Sequence, residues 1–349
     1  MPVPPSSPSV QEFPPDDEVR QLLQKRIDQK LAIGLIVGLL DSRGPRFVTA
    51  GATGNPAHPR IDELTLFEIG SLTKIFTAAA LADADARGHV SLDDPISKFL
   101  PLPAAGISNR TLKEFVTHTT GLPRLPSGFP WWWNLLRHPR DPYAHYSQRA
   151  LYAYLAHLHA ANLPRGKFLY SNLGAGLLGE ALAASQNTGY ANCIARHVTV
   201  PLHMSRTYLD IPPSEQSSVA QPHNKYLRPT NLWTMTTFAG AGGLRSCMQD
   251  MLVLAAAALA STAPFRAAMF QPLASAGGPD RSIGLGWMLR HSASYQVAWH
   301  NGGTGGSRSF FGLELQTRRA IVVLSNTSHP VDQLAIRLLL GQPLAANFF

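Results

Sequence analysis

The apolar pattern changes period twice along the chain, and this restricts the folds open to it. Residues 17–30 alternate charged and apolar side chains at helical spacing, which predicts a first helix. Residues 31–40 form an apolar run closed by Asp41-Ser-Arg-Gly44, the pattern of a buried strand ending in a turn, and 46–52 read as a second extended stretch. Ile69-Gly70-Ser71 opens an Ala-rich helix over 72–87 that ends at Gly88. From about 90 to 200 the spacing is mostly helical, broken by Pro-rich loops at 101–103 and 122–130. Residues 295–300, 309–316 and 320–325 then read as an antiparallel meander, followed by a last helix over 331–340. Strands at both ends with helices between them predict one sheet interrupted by a helical insertion. At 349 residues the chain is long enough for two packed units.

Several function classes are excluded by composition. The 30 Lys and Arg outnumber the 22 Asp and Glu, giving a formal charge of +8, yet the basic residues are scattered singly or in pairs such as Lys25-Arg26. A surface that tracks phosphates needs clustering, so no nucleic-acid partner is expected. The two cysteines, Cys193 and Cys247, exclude a disulfide scaffold and a thiolate-rich zinc module. The run at 31–40 is too short to span a bilayer, and no small-residue cleavage site follows it. A cytoplasmic location is expected, or a periplasmic or secreted one if a signal peptide was removed. No cofactor and no metal are expected.

Three short motifs carry chemistry. The first is Ser71-Leu-Thr-Lys74. A serine hydroxyl is a weak nucleophile until a base takes its proton, and residues three apart on a helix share a face, so Lys74 can stand beside Ser71. Burial lowers a lysine pKa toward that of a working base. The second is Tyr170-Ser-Asn172, where a phenol can shuttle a proton and an amide can orient the lysine or the acyl chain. The spacing recurs at Tyr190-Ala-Asn192, but Tyr170 follows the loop Pro164-Arg-Gly166, whereas Tyr190 opens a helix. The third is His300-Asn-Gly-Gly303 at a strand end, where a cation or donor can hold a carboxylate or leaving group and glycines admit a substrate backbone. Gly174-Ala-Gly176-Leu-Leu-Gly179 matches a dinucleotide fingerprint but lacks a suitably placed acidic residue, so close helix packing is the preferred reading.

In this order and spacing the motifs resemble the serine β-lactamase and penicillin-binding-protein superfamily, and more specifically its class C β-lactamase-like group, which includes D-alanyl-D-alanine peptidases and esterases. Phe67-Glu-Ile-Gly-Ser-Leu-Thr-Lys74, Gly88-His-Val-Ser-Leu-Asp-Asp-Pro95, Thr117-His-Thr-Thr-Gly-Leu-Pro123, Tyr170-Ser-Asn-Leu-Gly174, Gly242-Gly-Leu-Arg-Ser246 and His300-Asn-Gly-Gly-Thr-Gly-Gly306 are similar to family segments. The resemblance implies an α/β (α+β) fold, an antiparallel sheet flanked by helices with an all-helical subdomain and the site between them. The corresponding division is a disordered leader at 1–16, a sheet domain at 17–85 and 205–349, and a helical subdomain at 86–204. Ser71 would be the acylated nucleophile, with Lys74 and Tyr170 sharing proton transfer. Asn172 would position Lys74 and substrate, and the backbone N–H groups of Ser71 and Gly303 would form the oxyanion hole. His300, Asn301 and Gly302 would contact substrate. Class C β-lactamases carry Lys-Thr-Gly where this chain has His300-Asn301-Gly302, so a fixed ammonium for a β-lactam carboxylate is missing and weak β-lactamase turnover is expected. Pro201-Leu-His-Met204 also departs from the family, which usually has Gly in place of His203.

Trp131, Trp132 and Trp133 fall where loops of the family rim the cleft, either as an apolar acyl-binding wall or as packing between subdomains. The leading function is a serine hydrolase of esters or amides (esterase, D-amino-acid peptidase or weak β-lactamase) acting through a Ser71 acyl-enzyme. A biosynthetic acyltransferase or amide synthase shares the first half-reaction, and a non-catalytic penicillin-binding sensor or scaffold is the third reading.

Overall fold

In the computed structural model, which describes residues 12–102, 107–159, 162–260 and 266–341, the two strand-forming ends of the chain meet in one sheet. The strands are β1 (Gly34–Asp41), β2 (Gly44–Gly51), β3 (Phe67–Glu68), β4 (Arg245–Ser246), β5 (Ala274–Gly278), β6 (Arg281–Ile283), β7 (Met288–His291), β8 (Gln296–Gly303), β9 (Arg308–Glu314) and β10 (Arg319–Ser325). Eight of them form an antiparallel sheet in the order β2-β1-β10-β9-β8-β7-β6-β5, and β3 and β4 pair separately. The helices are α1 (Asp16–Asp28), α2 (Thr73–Ala86), α3 (Leu112–Val116), α4 (Phe129–Arg137), α5 (Gln148–Ala156), α6 (Asn172–Ser185), α7 (Tyr190–Ile194), α8 (Ala239–Gly242), α9 (Met248–Leu259), α10 (Arg266–Met269) and α11 (Asp332–Leu340).

The sheet is covered on both faces, which explains why β1 and β10 are apolar at nearly every position rather than at alternate ones. Leu35, Val37, Leu39, Ile321 and Val323 pack under α1 and α11, whereas Ile36, Val322 and Leu324 face the larger core that includes α2 and α9. Each such side chain contributes about 1.5–3 kcal/mol on burial. Helix α2 is buried from Thr73 to Ala84, and its alanines let neighbouring helices approach closely. Burial so complete around its first turn is what removes Lys74 from water.

This is the mixed α/β architecture with a helix-flanked antiparallel sheet expected from the sequence. Three details differ. Phe13, within the expected leader, is buried at 2% exposure, and its carbonyl accepts a bond from Arg43; residues 1–11 lie outside the described residues. Residues 274–291 add three strands that the pattern did not reveal, because Gly, Ser and Arg interrupt any alternation. The loop expected at 122–130 gives way to α4 at Phe129. Among the described residues no helix is long and apolar enough to cross a membrane.

Candidate active site

The turn carrying Ser71 is wedged between the end of β8 and the start of α2. Strand β3 leads into a 3₁₀ turn, Gly70–Leu72, which runs directly into α2. Gly70 has φ +51°, and a Cβ there would lie 2.6 Å from the Gly303 nitrogen. A Cβ on Gly302 would lie 2.2 Å from the Ile69 carbonyl oxygen and 3.1 Å from the Ser71 nitrogen. Only glycines permit this approach, and it sets the amides of Ser71 and Gly303 side by side. Two further ties hold the turn. Ser309 Oγ donates to the Ile69 carbonyl at 2.7 Å. The buried Glu68 carboxylate accepts from Trp233 N at 2.7 Å, Thr304 Oγ1 at 2.6 Å and Ser307 Oγ at 3.3 Å, joining β3 to the turn after β8.

Lys74 lies one helical turn past Ser71 with its Nζ 3.1 Å from Ser71 Oγ. Nζ also donates to Asn172 Oδ1 at 2.9 Å and to the Ala241 carbonyl at 2.6 Å. Lys74 is 4% exposed, and the hydrogen-bond partners of its amine are all uncharged oxygens. Burial, reinforced by the positive charge of Arg124, holds its pKa well below the ordinary lysine value. A neutral amine has two N–H groups, which the two carbonyl oxygens accept, and its lone pair is then left facing the Ser71 hydroxyl.

Tyr170 and Asn172 enter at the N-terminus of α6. Ser171 caps that helix, its Oγ accepting from Gly174 N at 2.8 Å and donating to the Pro123 carbonyl at 2.7 Å. The capped turn is fastened to segment 118–124: Leu169 N donates to the His118 carbonyl at 2.8 Å, Ser171 N to His118 Nδ1 at 3.3 Å, and Asn172 N to the Arg124 carbonyl at 3.0 Å. Asn172 Nδ2 donates to the Tyr143 hydroxyl at 3.2 Å. The Tyr170 hydroxyl faces Ser71, and burial pushes its pKa up to about 12. Its ring centre lies 4.9 Å from Lys74 Nζ and 5.3 Å from the Arg124 guanidinium carbon.

The strand end differs from the cationic reading. His300 is 4% exposed, and burial followed by the Lys74 charge depresses its pKa to about 3, so it is neutral. Its Nδ1 lies 2.7 Å from the Asn301 carbonyl, which only accepts, so this nitrogen carries the proton and Nε2 presents a lone pair. The His300 ring stands 6.1 Å from that of Tyr170. Strand alternation turns Asn301 to the opposite face, where Nδ2 donates to Asp332 Oδ1 at 2.5 Å. Arg308, paired with Gly303, gives its Nη1 to the carbonyls of Thr304 at 2.8 Å and Ser307 at 3.0 Å and so fastens the turn.

The three tryptophans do not act together, since consecutive helical residues point about 100° apart. Trp131 is buried against Tyr143, Tyr146 and Phe238, whereas Trp132 and Trp133 are exposed. Trp131 therefore supports Tyr143 from behind. The Tyr190 hydroxyl is engaged 2.8 Å from Thr77 Oγ1. Gly176 and Gly179 pack against Phe238 and Gly240, the close helix contact expected of the glycine repeat. A cavity of about 710 Å³ opens beside Tyr143, between α6 and segments 145–148 and 234–240, without Ser71 or Lys74 in its lining. Four residues near the site carried no signal of their own in the sequence: Glu68, His118, Arg124 and Tyr143. Glu68, His118 and the residue preceding Arg124 do belong to segments quoted for the family resemblance. Among the described residues no group of three or more His, Cys, Asp or Glu could hold a metal ion.

A family model described as Beta-lactamase matches residues 19–342. Among curated proteins, a Beta-lactamase of Pseudomonas fluorescens is 27% identical over 240 residues, which are 67% of this chain and 63% of that protein. The matched span is thus under two thirds of that relative's length. The D-alanyl-D-alanine-carboxypeptidase/endopeptidase AmpH of Escherichia coli (strain K12) is 27% identical over 345 residues, covering 90% of this chain and 86% of AmpH. The crystal structure of a Beta-Lactamase/D-Alanine Carboxypeptidase from Pseudomonas syringae superposes with a TM-score of 0.80 at 21% identity, covering 93% of this chain and 98% of that one. A class C β-lactamase from Rhodobacter sphaeroides gives 0.77 at 20% identity, covering 90% and 95%. These structures share the fold. With a family model spanning nearly the whole chain, the chain belongs to the Beta-lactamase family.

Proposed function

We propose that the chain is a serine hydrolase that cleaves an ester or amide through an acyl-enzyme on Ser71. The observation that carries this reading is the buried Lys74 amine, 3.1 Å from Ser71 Oγ, with both neighbouring carbonyl oxygens placed to take its N–H groups. Desolvating an unpaired lysine is costly, and a scaffold gains nothing from it. Neutral Lys74 takes the Ser71 proton as Oγ attacks the substrate carbonyl. The developing oxyanion is received by the Ser71 and Gly303 amides. Tyr170, whose raised pKa keeps it a phenol, passes a proton from the Lys74 side to the departing alcohol or amine. Water then attacks the acyl-enzyme by the same route in reverse. Asn172 orients Lys74, and neutral His300 offers an acceptor at Nε2. The exposed tryptophans and Asn301 contribute no step. The site sits between a sheet domain at 17–85 and 205–349 and a helical subdomain at 86–204.

Because no cation stands on the strand end, cephalosporin turnover is expected to be weak, and esters or D-amino-acid amides are the expected substrates. Parallel assays with p-nitrophenyl esters, D-amino-acid anilides and a chromogenic cephalosporin test this. Turnover of an ester or anilide that disappears in Ser71→Ala supports the reading. Efficient cephalosporin turnover, or ester cleavage surviving in Ser71→Ala, contradicts it. An acyltransferase would share the acyl-enzyme, and product analysis with and without an amine acceptor separates the two.

A further inference from the structure

We infer that Arg124 is the anion-recognition residue of this site, so that the preferred acyl substrates carry a carboxylate. The inference rests on the proposed Ser71 acyl-enzyme and adds a substrate class to it. Three observations support it. First, the other charged groups of the cleft are unavailable to an anion. Lys74 is buried and donates to two carbonyl oxygens, Arg308 is fastened to the Thr304 and Ser307 carbonyls, and His300 is neutral. Second, Arg124 is exposed and its guanidinium makes no hydrogen bond or ion pair with any described residue; it only covers the Tyr170 ring at 5.3 Å. An arginine held over an aromatic ring keeps its planar donor fork open to a carboxylate. Third, its backbone is fixed, because the Arg124 carbonyl accepts from both Asn172 N at 3.0 Å and Leu173 N at 3.2 Å. The charge therefore stands beside the Tyr170 ring, on the helical wall rather than on the sheet.

This arrangement answers the loss of the strand-end ammonium. A charge on the Tyr170 side favours flexible, acyclic anions that bend toward that wall. A fused bicyclic acid aimed at residue 300 finds only a neutral imidazole.

A matched ester pair tests the inference: the p-nitrophenyl half-ester of glutaric acid and its methyl ester, assayed at low salt with the wild type, Arg124→Ala and Arg124→Lys. The readout is the ratio of kcat/KM for the anionic over the neutral ester. Any effect of Arg124 on Lys74 falls on both esters and cancels in this ratio. The wild type should favour the anionic ester, Arg124→Ala should lower the ratio about tenfold, Arg124→Lys should retain part of it, and 0.5 M salt should shrink the wild-type preference, as expected for an exposed charge-assisted contact. An unchanged ratio in Arg124→Ala, with Ser71-dependent turnover intact, overturns the inference while leaving the acyl-enzyme standing. Absence of Ser71-dependent turnover of either ester removes the acyl-enzyme reading and this inference with it.

Discussion

Gly302 and Ile69 are so close that a single methyl group on Gly302 would sit 2.2 Å from the Ile69 carbonyl oxygen. That contact presses the end of β8 onto the turn carrying Ser71, and so sets the spacing of the Ser71 and Gly303 amides proposed to receive the oxyanion. Gly302→Ala should force the strand and the turn apart. A displacement of about 1 Å at a reacting centre costs on the order of 10²-fold in rate. Ester kcat/KM should fall by that order and Tm should drop by several degrees; wild-type values for both would show that the contact does not set the site.

Tyr170 is expected to act as a proton relay and not as the resting base, because its pKa lies at about 12 while that of Lys74 is strongly lowered. Tyr170→Phe removes the hydroxyl and keeps the ring beside Lys74 and Arg124. The expected loss in kcat is about 10²–10³-fold, with little change in Tm. The effect should be smaller for esters with good leaving groups, which need less protonation, and a leaving-group series in the two proteins measures this directly.

Activity should rise with pH through the pKa of Lys74, since only the unprotonated amine accepts the Ser71 proton. Burial comes first in lowering that pKa and the Arg124 charge second. Arg124→Ala removes one of the two causes, so the acidic limb of the kcat/KM profile should move to higher pH. A limb that stays in place, or moves to lower pH, would contradict the assignment of Lys74 as base.

Stability should carry the signature of His300. Its pKa is about 3 in the folded chain against 6.5 for a free histidine. Below 6.5 the unfolded chain takes up a proton that the folded chain refuses, so stability is full above this pH and is lost as pH falls toward 3. Between pH 6.5 and 5 the wild-type Tm should fall, and His300→Gln, which cannot titrate, should show a shallower fall. Equal slopes in the two proteins would mean that the folded chain protonates His300 as readily as the unfolded chain, contradicting the lowered pKa.

The sheet and the reactive turn were legible because both depend on local pattern. Apolar runs mark β1 and β10, and Ser71 and Lys74 share a helix face whatever the rest of the chain does. Strands β5–β7 were not legible, because their pairing comes from neighbours in the sheet rather than from alternation. Tyr143 and Arg124 were not singled out for a similar reason. Each lies in a loop, and what brings Tyr143 to Asn172, or Arg124 over Tyr170, is contact with α6 rather than spacing. The tryptophan run was legible as aromatic but not as divided, since the division needed α4 to begin at Phe129. The expected strand stopped at His300, whereas β8 continues to Gly303, and the charge of His300 depends on burial that no motif records.

The central claim is that Ser71, activated by Lys74, is the nucleophile. Intact-mass spectrometry after incubation with a fluorophosphonate, and separately with a penicillin, tests it most directly. The wild type should gain one adduct, Lys74→Ala should label far more slowly, and Ser71→Ala should gain none. An adduct that persists in Ser71→Ala would place the nucleophile elsewhere and contradict the mechanism.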